Sequence, residues 1–348
     1  MAQTDQAEQT EQTDQAEQAE QTDQAKALFG RLSRVDLGDW GAERIGAAAA
    51  DLGWEPDDAV KPTRLDTGLA TGPAIVVPTP QEDAGGDVPR AAALRVPVGP
   101  AGAFAGTVEA ATALMGFGPP MIGGPGPWVR WRRPPGADAG AGTSIGLLRA
   151  DERVWVELVA TQTWESQARR WFADGEGIEE LPYRWLASRR HPTLQGLTTG
   201  GRLVAGWDAV EQGLTLTLDE LLDGVDALAR PGASGPTGTV RLARQDRSPT
   251  AFFDVVLSPG RALTFRRAGG PALGEQGWHR QDKRTWLCEW PAAGPDECAE
   301  AARIAVRTLR ESLHCRRPDD AVCARTKLAG RTDVELPGFG LARARAAG

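Results

Sequence analysis

The chain has 348 residues, 41% of them apolar, and a formal net charge of −8. Seven of its 47 acidic residues fall within the first 25 positions, which hold no base, so the rest carries 40 acidic against 39 basic residues. A body so close to neutral argues against the broad basic footprint of a nucleic-acid-binding protein. The lack of an apolar run of about 20 residues argues against a membrane-spanning helix.

Residues 1–27 repeat with a period of nine (TDQAEQTEQ, TDQAEQAEQ, TDQAK). They are polar and acidic without an apolar stripe, so they cannot bury enough surface to offset the entropy of ordering, and they read as a disordered, solubilising tail. The chain start lacks the basic and then apolar pattern of a signal peptide, which places the protein in the cytoplasm with reduced thiols.

The length suits about two domains. The first is expected over 28–172. Trp40, Ile45, Ala48, Ala49 and Leu52 recur at helical spacing, with Asp39 as N-cap and Gly53 as the stop. Extended segments GPAIVVP and AAALRVPVG follow, then a helix over FAGTVEAATALMGF, then strands in WVRWRRP, SIGLLRA and RVWVELVA. Arg130 and Arg132 alternate onto one strand face, which reads as the solvated side.

Residues 173–205 have few periodic apolar positions and read as a linker, with YRWLASRR as a short bridging helix. The second domain, 206–320, opens on GWDAVEQGLTLTLDELLDGVDALA, where Thr217 and Glu220 form a capping-box pattern. TVRLAR, TAFFDVVL and ALTFRRA then predict a three-strand meander. TWLCEWP predicts a strand with Trp286, Cys288 and Trp290 on one face. From Pro295 a helix follows, with Cys298, Ala302, Ala305, Leu309 and Leu313 as its buried stripe. Residues 321–348 read as a tail. The fold class is α+β, with two domains that are each an antiparallel sheet flanked by helices.

Motifs for chemistry are weak. The cysteines Cys288, Cys298, Cys315 and Cys323 are spaced 10, 17 and 8 apart, unlike the paired knuckles of a zinc site, so no metal and no cofactor is expected. GTSIG at 142–146 matches a nucleophile elbow around Ser144, but a loop precedes it and a strand follows, the reverse of what an elbow needs. LDTGL puts Asp66 in an aspartic-protease-like string with no second copy in the chain. A hydrolase using Ser144 or Asp66 is therefore the alternative reading, and no catalytic residue is assigned. His191, His279 and His314 are scattered.

GWDAVEQGLTLTLDELL, the meander TAFFDVVLSPGRALTFRRA, QGWHRQ and AEAARIAVRTLRESLHCRRPDD resemble the actinobacterial peptide-binding chaperone domains related to type III secretion chaperones and YbjN. The first half, through DWGAERIGAAAADLGW, LDTGL and ERVWVELV, is similar to an uncharacterised actinobacterial domain. The resemblance implies a helix-flanked antiparallel sheet that holds an extended polypeptide or protein client in secretion or inter-bacterial conflict. In the meander Phe253, Val255 and Leu257 alternate with Phe252 and Val256, and a helix can cover only one of the two faces; the other either accepts a partner or packs against the first half of the chain. The expected protein is a non-enzymatic binder whose partner-binding residues are Phe252, Val256 and Trp286. A homodimer and a redox role for the cysteines are left open.

Overall fold

The computed structural model describes residues 23–57, 64–78, 91–116, 121–123, 126–132, 142–150, 152–161, 185–188, 206–229, 238–245, 252–268, 277–336, 339 and 341–343. The acidic repeat up to residue 22 lies outside them. The fold is α+β. The chain divides into two compact units, Met1–Pro119 with Trp128–Ser166, and Pro120–Pro127 with Gln167–Gly348.

In the first unit, helix α1 is described over 23–32, five residues before the expected start of structure, because Ala25 joins Leu28, Phe29 and Leu32 in one buried stripe. Helix α2 (Ala42–Leu52) begins at Gly41 rather than at Asp39, whose carboxylate instead accepts the Gly41 N–H at 3.0 Å. It stops at Gly53, which takes the left-handed conformation at φ 73°. Strands β1 (Glu55–Asp57), β2 (Arg64–Asp66), β3 (Ala74–Pro78) and β4 (Ala91–Pro100) precede helix α3 (Phe104–Met115). After the short strand β5 (Met121–Gly123) of the second unit come β6 (Trp128–Trp131), β7 (Thr143–Ala150) and β8 (Arg153–Ala160). The first unit's seven strands form an antiparallel sheet ordered β1-β2-β3-β4-β8-β7-β6. Phe29 meets Trp131 edge-on at 5.1 Å, which seats α1 on this sheet.

One row of that sheet corrects the expectation for Arg130. The register aligns Arg95, Glu157, Gly146 and Arg130 across four strands. Arg130 is 3% exposed, and it reaches over β7 to donate from Nη2 to Glu157 at 2.6 Å. Arg95 donates from Nε to the other carboxylate oxygen at 2.9 Å. Gly146 lies beneath this span, where a Cβ would stand 2.8 Å from the Val129 carbonyl and 3.5 Å from Arg130 Nε. The alternation of WVRWRR does place Arg130 on one face; that face is buried, and a carboxylate two strands away compensates the charge.

The second unit continues with β9 (Trp185–Ser188), helix α4 (Trp207–Ala227) and the meander β10 (Gly238–Arg244), β11 (Phe252–Ser258) and β12 (Ala262–Ala268). Strands β13 (His279–Arg280) and β14 (Thr285–Trp290) lead into helix α5 (Pro295–Arg307), which runs on as a π turn over Thr308–Ser312. Strands β15 (Ala321–Leu328), β16 (Asp333–Glu335) and β17 (Ala342–Arg343) complete it. The sheet order is β13-β14-β12-β11-β10-β15-β17, antiparallel except for the parallel β15–β17 pair. A second ribbon joins β5, β9 and β16.

Three features differ from the sequence reading. The described part of the expected bridging helix in YRWLASRR, Trp185–Ser188, is strand: Trp185, Leu186 and Ala187 are all buried between β5 and β16, and the rest of the stretch lies outside the described residues. Trp185 packs between two glycines, since a Cβ on Gly123 would lie 2.0 Å, and one on Gly224 2.4 Å, from its ring. Thr217 does not cap α4. The stripe of Leu218, Leu221, Leu222 and Val225 extends back through Leu214 to Val210, so one helix of 21 residues forms and Thr217 is buried inside it. Residues 321–328 are no tail; β15 fills the sheet between β10 and β17, and Ala321, Val322, Cys323 and Leu328 are buried.

Candidate functional site

Strand alternation sorts the second unit's sheet into two faces. Val240, Leu242, Phe253, Val255, Leu257, Leu263 and Phe265 form the buried face. Trp290 belongs to it and donates its indole N–H to Glu300 of α5 at 3.0 Å, while Trp278 donates to Thr308 at 3.0 Å, which fixes α5 on this side. Helix α4 is tied in by Asp226, which accepts the Gly260 N–H at 2.8 Å, and by Asp219, which pairs with Arg261. Arg261 holds φ 57° in the tight β11–β12 turn.

Phe252 and Val256 come together on the opposite face, both half-buried, as the alternation required. Between them lies a polar row. Asp254, 5% exposed, takes both Nε and Nη2 of Arg241 at 2.7 and 2.9 Å, and Arg266 stands 4.0 Å away on its other side. The Arg241 guanidinium also lies 3.8 Å over the Phe252 ring. Val256 is flanked in register by Thr239 and Thr264. At the β13 edge, His279 Nε2 meets Glu289 at 3.2 Å. The face thus offers two apolar positions on either side of a bidentate ion pair, with Arg266 solvent-exposed beside it. Such a surface can desolvate apolar side chains of an extended segment while the arginines take its carbonyl or acidic groups.

Trp286 does not join that cluster. It is half-buried on the helix-bearing face, in register with Arg267 on β12 and Arg280 on β13. Arg267 is 4% exposed, and its Nε and Nη1 lie out of water without a hydrogen-bond partner. Burial alone lowers its pKa. The sequence reading passed over Arg267, although the signal was present: in ALTFRRA the period of two places it on the face of Leu263 and Phe265, where an apolar residue belongs.

The cysteines lie within the packing. Cys288 donates its thiol to the Gly277 carbonyl at 3.2 Å, and Cys298 is fully buried in the α5 stripe. Burial pushes the thiols up to about 11 for Cys288 and about 12 for Cys298, which keeps both protonated at neutral pH. All four cysteines are buried. Among the described residues, no group of three or more His, Cys, Asp or Glu residues is placed to hold a metal ion.

The enzyme-like strings adopt other geometries. Ser144 lies within β7, fully buried, with its hydroxyl 2.7 Å from that of Thr161. Asp66 ends β2 and accepts the Gly68 N–H at 3.0 Å, an ordinary Asx turn closed by Thr67 bonding to the Gly72 carbonyl. His314 sits in the left-handed region at φ 56° just after the π turn, and His191 lies outside the described residues.

The second unit is thus a sheet with helices α4 and α5 on one face and a mixed apolar and charged row on the other. Residues 201–325, from the approach to α4 through most of β15, match the family described as T3SS (YopN, CesT) and YbjN peptide-binding chaperone 3. No curated protein and no solved structure matches the chain. Among the described residues no helix is long and apolar enough to cross a membrane.

Proposed function

We propose that this chain is a non-enzymatic, chaperone-like protein whose second unit holds an extended polypeptide client against the sheet face of Phe252 and Val256. The observation that carries the reading is the match of residues 201–325 to a peptide-binding chaperone family, falling on a sheet whose two described helices share the other face. A client lying on this face desolvates Phe252 and Val256 and meets the Arg241–Asp254–Arg266 row, which favours acidic or carbonyl groups at that position. The reading takes the protein as cytoplasmic, and the sequence resemblance suggests a client from a secretion or inter-bacterial conflict system; a secreted effector or toxin encoded next door would name that client. The first unit, which the sequence likens to an uncharacterised domain, is assigned no chemistry, and a homodimer is a further arrangement the reading accommodates.

The test is selection of peptides from a displayed random library on the purified full chain, repeated on Phe252→Asp/Val256→Asp. The reading expects a recurrent apolar-and-acidic pattern whose binding falls at least tenfold on the variant while its cooperative unfolding persists. Enriched peptides that bind the variant equally well would place recognition elsewhere.

A further inference from the structure

The row Arg267, Trp286 and Arg280 crosses β12, β14 and β13 at the sheet edge, on the face opposite Phe252 and Val256. Two arginines flank one half-buried indole. Arg280 is exposed, and its Nε and Nη2 are engaged by the Asp282 and Lys283 carbonyls at 2.9 and 3.0 Å, which hold it in place. Asp282, the acid nearest in sequence to Arg280, spends its Oδ1 on the Arg284 and Thr285 N–H groups at 2.6 and 2.8 Å. Glu289 points to the other face and meets His279. Arg267 is thus left as a cation 96% removed from solvent, with its Nε and Nη1 unbonded and, among the described residues, no carboxylate paired with it.

A buried guanidinium in this condition is costly, because two of its nitrogens have lost their water without a hydrogen bond to replace it. Arg130 in the first unit shows the usual remedy in this same chain, a carboxylate at 2.6 Å. We infer that Arg267, with Trp286 and Arg280 beside it, is a carboxylate-binding site, and that its ligand is a carboxylate on a part of the polypeptide client that rounds the β13 edge from the Phe252 face. The planar fork of Arg267 suits a two-oxygen acceptor, Arg280 adds positive potential in the same row, and Trp286 provides an apolar wall against which the neighbouring side chain packs. The client assignment rests on the peptide-binding reading; the carboxylate site itself does not.

The experiment follows the melting temperature of the full chain with three probes at matched ionic strength: N-acetyl-glutamate amide for a side-chain carboxylate, N-acetyl-alanine for a chain-terminal one, and N-acetyl-glutamine amide as the uncharged control. A ligand that binds only the folded state raises the melting temperature, by about 1–3 °C at several times its dissociation constant. At least one carboxylate probe is expected to give a saturable rise that the glutamine control lacks, and the better one identifies the source. Arg267→Met, which removes the uncompensated charge at similar volume, should melt no lower than wild type and lose the rise entirely. Arg267→Lys should keep only part of it. A rise that is absent in wild type, or retained by Arg267→Met, overturns the site. So does an Arg267→Met protein that melts several degrees lower or fails to fold, since Arg267 would then be a structural residue with a partner of its own. A carboxylate response without peptide selection would retain the site and remove the client; selection without the response would do the reverse.

Discussion

Replacing Glu157 with Gln tests the packing logic of the first unit, because it removes one charge and almost no volume. Glu157 and Arg130 have side chains only 4% and 3% exposed, so the amide leaves a guanidinium buried without its counter-charge. Breaking such a pair from one side costs about 3–5 kcal/mol. Arg95 is 33% exposed and can turn to water, so its share is at most about 1 kcal/mol. Glu157→Gln should therefore lose about 3–5 kcal/mol in urea unfolding followed by far-UV circular dichroism and tryptophan fluorescence. The double variant Arg130→Met/Glu157→Met, which removes both charges and keeps apolar volume, should recover most of that loss. A single variant within about 1 kcal/mol of wild type, or a double variant as unstable as the single, would refute the claim that Glu157 compensates a buried Arg130.

Gly224→Ala gains helix propensity of about 1 kcal/mol, yet its Cβ would meet the buried Trp185 ring at 2.4 Å, so net destabilisation is expected in thermal melts; a stabilised variant would show that the slot relaxes. Cys288 and Cys298, held as thiols by burial, should resist iodoacetamide at pH 8 in the native chain and react in urea, as read by intact mass. Rapid native alkylation would reopen a redox role. The Glu220 carboxyl is raised above its ordinary range by burial and then by Asp223, so the folded state favours its protonated form. That contribution is complete below the ordinary glutamate value and is lost as pH rises through the raised one. Glu220→Gln should accordingly be more stable than wild type at neutral pH and equal to it in acid; the same difference at both pH values would contradict the assignment.

Much of this was legible in the chain. The period-two alternation of TAFFDVVL and ALTFRRA is read directly as faces because side chains on a strand must alternate, and the stripe from Cys298 to Leu313 is read as a helix for the corresponding reason. What escaped depends on distant partners. WLAS in residues 185–188 carries too few residues to signal a strand, and only Gly123 and Gly224, far apart in sequence, make room for its indole. Arg130 looked solvated because its compensating carboxylate stands two strands away, across a glycine. Residues 321–328 looked like a tail because β15 is defined by its pairing with β10, some 80 positions earlier. Phe252 and Val256 were placed correctly on one face by alternation, whereas Trp286, on a strand of different register, went to the other.

The central claim is that the sheet face of Phe252 and Val256 receives a polypeptide. Hydrogen–deuterium exchange of the full chain, with and without a saturating peptide selected on it, tests this most directly. The account predicts added protection over 238–244, 252–258 and 262–268, and its loss in Phe252→Asp/Val256→Asp. Protection confined to the first unit, or unchanged by that double substitution, would contradict it.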